Sequence, residues 1–205
     1  MAVSDWKQKW NGLMVPKGVP VNYKIPTLIR KVCLLGDPGV GKTSLVYRLA
    51  AHRFDEFYVT TVGARVLKKT LVLRPPDFLT DVRVKLIIWE VRGHHQLTPI
   101  DPYLRGSDAA IVVGDAQRLD TQIDLWKWVE RVRTVAGQIP VMMMVNKTDI
   151  MDYSFDPELI EELAVEYGCP IRMTSARTGN NVDRAFTDLA TSMIRFPQPF
   201  SSCGG

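Results

Sequence analysis

Eight consecutive residues, GDPGVGKT at 36–43, have the composition and spacing of a loop that holds phosphate. They fit the pattern G-x-x-x-x-G-K-[ST] and lie between an apolar strand pattern, KVCLL, and a helical pattern, which is the context that this motif requires. In such a loop, backbone N–H groups and a helix N-terminus converge on an anion, and glycines let the backbone approach it. The residues predicted to bind phosphate are Asp37, Pro38, Gly39, Val40, Gly41, Lys42, Thr43 and Ser44.

Lys42 and Thr43 of this loop have specific predicted roles, and Pro38 is an unfavourable residue for binding phosphate through backbone N–H groups. Lys42 is predicted to reach the β- and γ-phosphates of a nucleotide, and Thr43 to hold Mg²⁺ through its hydroxyl. Pro38 fixes its own φ and removes one N–H donor. Because Pro38 lies at the crest of the loop, we expect phosphate binding to survive.

A second pair of motifs, NKTD at 146–149 and TSART at 174–178, points to the base of the nucleotide. The carboxylate of Asp149 follows a buried strand pattern and can accept hydrogen bonds from N1–H and N2–H of guanine, a pair that adenine lacks. The wrong base would leave that carboxylate unpaired, which costs more than a missing contact. Lys147 can lay its alkyl stem over the base, and the backbone of Ser175 and Ala176 can meet the guanine O6. The residues assigned to the base are Asn146, Lys147, Asp149, Ser175, Ala176 and Arg177.

These motifs predict GTP and GDP as ligands. They argue against a different phosphate-loop enzyme, such as an ATPase or a small-molecule kinase, and a competition between GTP and ATP would separate the two.

The rest of the chain supplies the elements that would position these motifs. Apolar strand patterns occur at 28–36, 66–73, 82–91, 109–116, 141–147 and 170–176. Helical patterns lie between most of them, which predicts an α/β fold of the P-loop NTPase kind, with a mostly parallel six-stranded sheet and helices on both faces. The patterns at 66–73 and 82–91 have no helix between them, so they are predicted to form an antiparallel hairpin at one sheet edge.

Helix boundaries are predicted from capping residues. Asp156 followed by Pro157 opens one helix, and Gly168 closes it. Asp120 is the expected N-cap of a longer helix at 121–136. The apolar stripe of that helix is predicted to contain Ile123, Trp126, Val129, Val132 and Val135.

Composition favours one globular domain in a reducing cytosol. The chain has 205 residues, 46% hydrophobic and 23% charged, with no apolar run near the ~18 residues that span a bilayer and no signal-peptide pattern. The net charge of +4 comes without a dense Lys/Arg block, so no nucleic-acid partner is expected. Cys33, Cys169 and Cys203 are scattered, which is typical neither of a disulfide framework nor of a metal site.

In order and spacing, the motifs resemble those of the Ras superfamily of small GTPases, most closely the Rab proteins. GDPGVGKTSL resembles the Rab phosphate loop, FDEFYVTTVG at 54–63 the first switch, WEVRGHHQL at 89–97 the second switch, and NKTD and SAR the base-binding motifs. The resemblance covers about residues 28–195. It implies a G domain at 27–196, between an N-terminal extension at 1–26 and a flexible tail at 197–205.

The resemblance also implies roles for five further residues. Phe54 would pack against the guanine edge, Tyr58 would close over the phosphates, and Thr61 would bind Mg²⁺ and the γ-phosphate. The Gly93 N–H would hold a γ-phosphate oxygen, and Glu90 would hold Mg²⁺ through a water. Loss of the γ-phosphate would release both switch segments, and partner proteins would detect that change.

The second switch departs from the family pattern W-D-x-x-G-Q in three places. Glu90 replaces Asp and is one methylene longer, so we expect a weaker or shifted Mg²⁺ affinity. His94 stands where a Gln would orient the attacking water; it either accepts a proton or holds that water, or it is a poor substitute and turnover is slow. Arg92 precedes Gly93; it either acts as a built-in arginine finger or pairs with the terminal phosphate in the GTP state, or it faces solvent or pairs with a nearby acid.

The sequence therefore predicts a GTP/GDP-binding molecular switch that hydrolyses GTP slowly without an activating partner. Its predicted catalytic residues are Lys42, Arg92, Gly93 and His94. The alternative is a GTP-bound pseudo-GTPase that recruits partners with little turnover. Exchange factors, activating proteins and effectors are expected to bind at the switch regions.

The two ends of the chain leave the question of membrane contact open. Trp6 and Trp10 are four residues apart and either pack onto the domain or contact a partner or a membrane. Cys203 in PFSSCGG lies in no prenylation pattern, and it is either unmodified or lipidated. The expected location is cytoplasmic, with a peripheral membrane contact as the alternative.

Overall fold

A computed structural model describes most of the chain, namely residues 25–50, 56–59, 64–75, 80–91, 99–153 and 155–195. The described strands are β1 (Thr27–Gly36), β2 (Glu56–Val59), β3 (Ala64–Leu73), β4 (Val82–Val91), β5 (Ala109–Asp115), β6 (Val141–Asn146) and β7 (Ile171–Met173). They form one sheet in the order β2-β3-β4-β1-β5-β6-β7.

The described helices alternate with the strands along most of the chain. They are α1 (Lys42–Ala50), α2 (Asp101–Leu104), α3 (Leu119–Ile123), α4 (Leu125–Ala136), α5 (Pro157–Glu166) and α6 (Val182–Arg195), with a 3₁₀ turn at Thr148–Ile150. Within these ranges, no helix combines the length and the hydropathy that a bilayer crossing requires.

The mostly parallel sheet is confirmed, and all six predicted strands are present. Strands β4, β1, β5, β6 and β7 pair in parallel, and β3 runs antiparallel to β4 as the predicted hairpin. The short strand β2 is an addition to the prediction and pairs antiparallel with β3. It covers the outer backbone groups of β3 at Arg65–Lys68, so β3 is second from the edge over that part of its length.

Both faces of the sheet are covered, because alternate residues of each strand point to opposite sides. Val32 of β1 packs in one apolar cluster with Phe186 of α6, whereas its neighbour Cys33 packs in the other cluster with Val129 of α4. Every residue of β5 and β6 is buried, as the continuous apolar runs at 109–113 and 141–145 predict.

The predicted helix at 121–136 is two helices, and its predicted cap is wrong. Asp124 separates α3 from α4, and Asp120 lies inside α3 with its carboxylate paired to Arg118 at 2.9 Å. Helix α3 is anchored to the end of β5 by polar side chains: Thr121 Oγ1 accepts from the Asp115 N–H at 2.9 Å, and Gln122 Nε2 donates to the Asp115 carbonyl at 3.1 Å.

This break changes which side chains face the core. Ile123 and Trp126, predicted in the apolar stripe, are 42% and 37% exposed, whereas Leu125 and Trp128 are buried. A stripe counted through an unbroken helix therefore assigns the wrong face to its first two turns.

The caps predicted for α5 are confirmed. The Asp156 carboxylate accepts a hydrogen bond from the Leu159 N–H at 3.0 Å, with Pro157 at the first helical position. Gly168 follows the helix with φ of +56°, in the left-handed region where glycine carries no Cβ penalty.

The two described cysteines are expected to be unreactive in the folded protein. Cys33 and Cys169 are both buried, and burial raises the pKa of both thiols. Because the thiolate is the nucleophile, we expect a Cys203→Ser variant to label roughly 100-fold more slowly with a thiol reagent when folded than in denaturant. Mass spectrometry should count two labels after unfolding. Rapid labelling of either thiol in the folded protein would contradict this burial.

Candidate nucleotide-binding site

The predicted motifs meet at one edge of the sheet. Strands β1, β5 and β6 are parallel neighbours, and they end at Gly36, Asp115 and Asn146, with Asp115 and Asn146 paired in register. The phosphate loop follows β1, and NKTD follows β6. Ligands of open α/β sheets bind beyond the carboxyl ends of parallel strands, and both motifs lie there.

The phosphate loop is braced from β6. Val40 is fully buried, and its carbonyl accepts a hydrogen bond from Asn146 Nδ2 at 3.0 Å. The Oδ1 atom of the same amide accepts from the Ala176 N–H at 3.1 Å. Gly41 lies directly against this amide, with φ of +96°, and an added Cβ would overlap Asn146 Nδ2. The amide of Asn146 thus connects the loop predicted to hold phosphate with the segment predicted to hold the base.

The ammonium group of Lys42 lies within the curve of the loop. Its Nζ donates to the carbonyls of Gly36 at 2.6 Å and Asp37 at 2.8 Å. Burial lowers the pKa of Lys42 to about 8, against the opposing effect of the negative charges of Glu90 and Asp37. A buried cation held by neutral carbonyls would gain from a phosphate group in the adjacent cavity.

An acid and a hydroxyl meet beside this lysine. The Thr43 hydroxyl donates to Glu90 Oε1. Glu90 is only 2% exposed, and its Oε2 has no hydrogen-bond partner among the described residues. Arg65 Nη1 lies 3.8 Å from that oxygen in an ion pair.

These oxygen atoms fit a magnesium ion held jointly with a nucleotide. Mg²⁺ prefers oxygen ligands and usually combines one or two protein groups with waters and substrate phosphates. Thr43 and Glu90 supply a hydroxyl and a buried carboxylate with an unused oxygen. Within the described ranges, no cluster of three or more His, Cys, Asp or Glu side chains offers a separate metal site.

A cavity of about 450 Å³ opens beside these groups. It is lined by the phosphate loop, the start of α1, Arg65 and Glu90. Among the described residues of its walls, Lys42 and Arg65 are cations and Glu90 is a carboxylate.

The predicted base-binding acid is held by its neighbours. Asp149 Oδ1 accepts from the Ser175 hydroxyl at 2.6 Å, and Arg177 Nη1 lies 3.7 Å from Oδ2. Only 13% of the Asp149 side chain is exposed. These contacts fix the direction of the carboxylate, which is what selective pairing with one base requires.

Lys147 is fixed in the same way. It adopts a left-handed backbone conformation with φ of +68°, and its Nζ donates to Asp115 Oδ2 at 2.6 Å. Because both ends of the side chain are held, its alkyl stem has a defined position at the predicted base site.

Two arginines that the sequence did not single out connect the loops of this edge. Arg48 in the last turn of α1 donates from Nε to the Ala176 carbonyl at 2.7 Å and also binds the Arg177 carbonyl. Arg118 donates from Nη1 to the Pro38 carbonyl at 2.8 Å and so holds the crest of the phosphate loop. Sequence spacing carries no signal for either contact, because the partners are far apart along the chain.

Arg65 was also missed, although a weak signal exists. It lies one residue before the predicted strand at 66–73, whose partner strand contains Glu90, and opposite charges on paired strands can face each other. The long connection at 74–81 leaves the register open, so the pair could not be identified before the structure.

Several predicted residues lie outside the described ranges. They are Phe54, Thr61, Arg92, Gly93 and His94. Tyr58 lies in β2 and is described by its backbone pairing with Val66 alone. The predicted roles of these six residues stay predictions.

A comparison with known families gives one match across most of the chain. The family model described as "Ras family" matches residues 31–195. The matched segment begins within β1, ends at the last residue of α6, and contains the phosphate loop, Glu90, NKTD and TSART.

Proposed function

Since the chain belongs to the Ras family of GTP-binding switch proteins, we propose that it binds GTP and GDP together with Mg²⁺ and hydrolyses GTP to GDP and phosphate. The observation that carries the proposal is the shared edge of β1, β5 and β6. There the hydrogen bond from Asn146 to Val40 joins the phosphate loop to the NKTD segment, with Lys42 and the Thr43–Glu90 pair on the phosphate side and the Asp149 carboxylate on the base side.

On the phosphate side, a bound nucleotide would replace the present hydrogen-bond acceptors of Lys42. Lys42 now donates to two backbone carbonyls, and phosphate oxygens would replace these neutral acceptors with charged ones. Mg²⁺, when held by Thr43 and, through a water, by Glu90, would supply positive charge opposite the β- and γ-phosphates. Glu90 is shielded from solvent, so its charge would act on such an ion with little screening.

The base side would select guanine. The Asp149 carboxylate would accept from N1–H and N2–H of the base while the Ser175 hydroxyl holds its Oδ1. The Ala176 N–H, predicted to meet the guanine O6, donates to Asn146 in this structure, so contact with O6 would require that N–H to be shared.

Hydrolysis would need the second switch. A water oxygen attacks the γ-phosphorus, the bond from that phosphorus to the β–γ bridging oxygen breaks, and GDP leaves with the electron pair. We assign the orientation of that water to His94, a γ-phosphate contact to the Gly93 N–H, and a charge-stabilising role to Arg92. Lys42 would offset charge on the departing GDP.

Within the family, we favour a Rab-like protein that acts in the cytoplasm. The support is the likeness of GDPGVGKTSL and FDEFYVTTVG to the Rab phosphate loop and first switch. Exchange factors, activating proteins and effectors would bind the two switch segments. The alternative to a purely cytoplasmic location is a peripheral contact with a membrane through Trp6, Trp10 or Cys203.

Single-turnover hydrolysis of preloaded GTP, with Mg²⁺ and without partners, tests the proposal. We expect slow cleavage on the order of 10⁻⁴ s⁻¹, which is typical of an isolated small GTPase. An Arg92→Ala variant should be slower if Arg92 contacts the γ-phosphate, and an unchanged rate would remove that role. Tightly bound GTP without cleavage would favour the pseudo-GTPase. ATP that competes as well as GTP would contradict guanine selection.

A further inference from the structure

We propose that Arg65 is the built-in counter-ion of Glu90 and competes with the divalent cation for that carboxylate. Arg65 would thereby lower the Mg²⁺ affinity of the protein and keep Glu90 charge-balanced when the cation is absent. This inference rests on the proposed Mg²⁺ site at Thr43 and Glu90. It adds Arg65, which lies in β3, to that site.

The register of the hairpin brings the two side chains together. Arg65 of β3 is paired directly with Glu90 of β4 in an antiparallel ladder, so both side chains lie on the same face of the sheet. Arg65 Nη1 lies 3.8 Å from Glu90 Oε2, and both residues line the cavity beside the phosphate loop. The guanidinium group therefore borders the predicted phosphate and cation site.

The charge of Glu90 explains why a cation is needed there. A carboxylate that is 2% exposed is strongly disfavoured unless it is paired. Oε1 receives the Thr43 hydroxyl, and Oε2 has no hydrogen bond among the described residues. The positive charge of Arg65 at Oε2 offsets part of this cost while no metal is bound.

The pair is also loose enough to be replaced. The separation of 3.8 Å is longer than a hydrogen bond, and 27% of the Arg65 side chain is exposed, so water screens part of the attraction. A divalent cation that uses Glu90 would meet a like charge at 3.8 Å from the same carboxylate. Arg65 would then turn away from Glu90, and its partly exposed side chain can turn toward solvent.

The test is the release of a fluorescent GDP derivative from the full-length protein across a series of free Mg²⁺ concentrations set with EDTA. Arg65→Met keeps the apolar stem and removes the charge. We expect its midpoint for GDP retention to fall to about three- to tenfold lower Mg²⁺ concentration than in the wild type. Arg65→Lys keeps the charge and should stay close to the wild type.

A matched control removes the same charge elsewhere on the hairpin. Arg74 follows β3 at its other end, is 72% exposed and pairs with Asp81 at 3.4 Å. Arg74→Met should leave the midpoint unchanged. A thermal melt in EDTA adds a second readout, in which Arg65→Met should melt at a lower temperature than Arg65→Lys because Glu90 has lost its cation.

Each result has a definite meaning. An unchanged or higher Mg²⁺ midpoint in Arg65→Met overturns the inference, and a higher midpoint would mean that Arg65 holds Glu90 ready for the metal. An equal shift in Arg74→Met would reduce the effect to net charge and also overturn it. If GDP release from the wild type does not depend on Mg²⁺, the proposed metal site itself is wrong. Should Arg65→Met fail to fold, Arg65→Gln answers the same question.

Discussion

Replacement of Asp149 with asparagine should weaken GTP and GDP binding by about 100- to 1,000-fold, because two charge-assisted hydrogen bonds to the base are worth roughly 1.5–3 kcal/mol each. The asparagine oxygen can still accept one base N–H and the Ser175 hydroxyl, which donates to Asp149 Oδ1 at 2.6 Å. The asparagine NH₂ would face the second base N–H, and two donors would then oppose each other. Equilibrium titration with a fluorescent GDP derivative measures the loss.

The same variant should gain affinity for xanthosine diphosphate, whose base carries a carbonyl where guanine carries N2. That carbonyl accepts from the asparagine NH₂, so the preference between the two diphosphates should reverse. Asp183→Asn, at an exposed position in the first turn of α6, removes the same charge and serves as the control. An Asp149→Asn variant that still binds GDP like the wild type would contradict the assignment of Asp149 to the base.

Replacement of Gly41 with alanine should nearly abolish nucleotide binding and destabilise the fold. Gly41 has φ of +96°, and the added Cβ would overlap Asn146 Nδ2, which donates to the Val40 carbonyl at 3.0 Å. Backbone strain of about 1–3 kcal/mol adds to a broken buried hydrogen bond of about 1–3 kcal/mol. We expect binding to fall more than about 100-fold and Tm by roughly 6–12 °C, measured by titration and calorimetry.

Gly39→Ala separates the strain from the overlap. Gly39 also lies in the left-handed region, with φ of +82°, but an added Cβ would lie 3.6 Å from Arg118 Nη1, an ordinary contact. This variant carries the backbone strain alone, so its loss of stability should be about 1–2 kcal/mol. Equal losses in both variants would show that the Asn146 brace is unimportant.

Strands buried on both faces could be predicted because each is a continuous apolar run. The runs at 109–113 and 141–145 lie in β5 and β6, which are buried throughout. The strand β2 could not be predicted, because EFYV at 56–59 is short and its pairing depends on the longer strand β3 beside it. The break at Asp124 was missed for a related reason, since Thr121 and Gln122 bind β5 through polar groups that an apolar stripe does not reveal.

The motifs of the candidate site could be predicted from the sequence, but the side-chain contacts that join them could not. The phosphate loop and NKTD are short motifs that each follow one strand, so spacing along the chain is sufficient to find them. Contacts such as Arg118 with Pro38, or Arg65 with Glu90, join segments that are distant in sequence. They depend on strand register and on the paths of loops, and neither can be derived from local pattern.

Arg48 and Asn146 together couple the phosphate-binding segment to the base-binding segment, so that neither can move without the other. Helix α1 begins in the phosphate loop, and its last turn binds the backbone of the SAR segment through Arg48, while Asn146 ties Val40 to Ala176. We therefore expect nucleotide to leave in a single concerted opening, not first from the phosphates and then from the base. We expect that a protein promoting exchange would need to displace only one of the two loops, because the other would loosen with it.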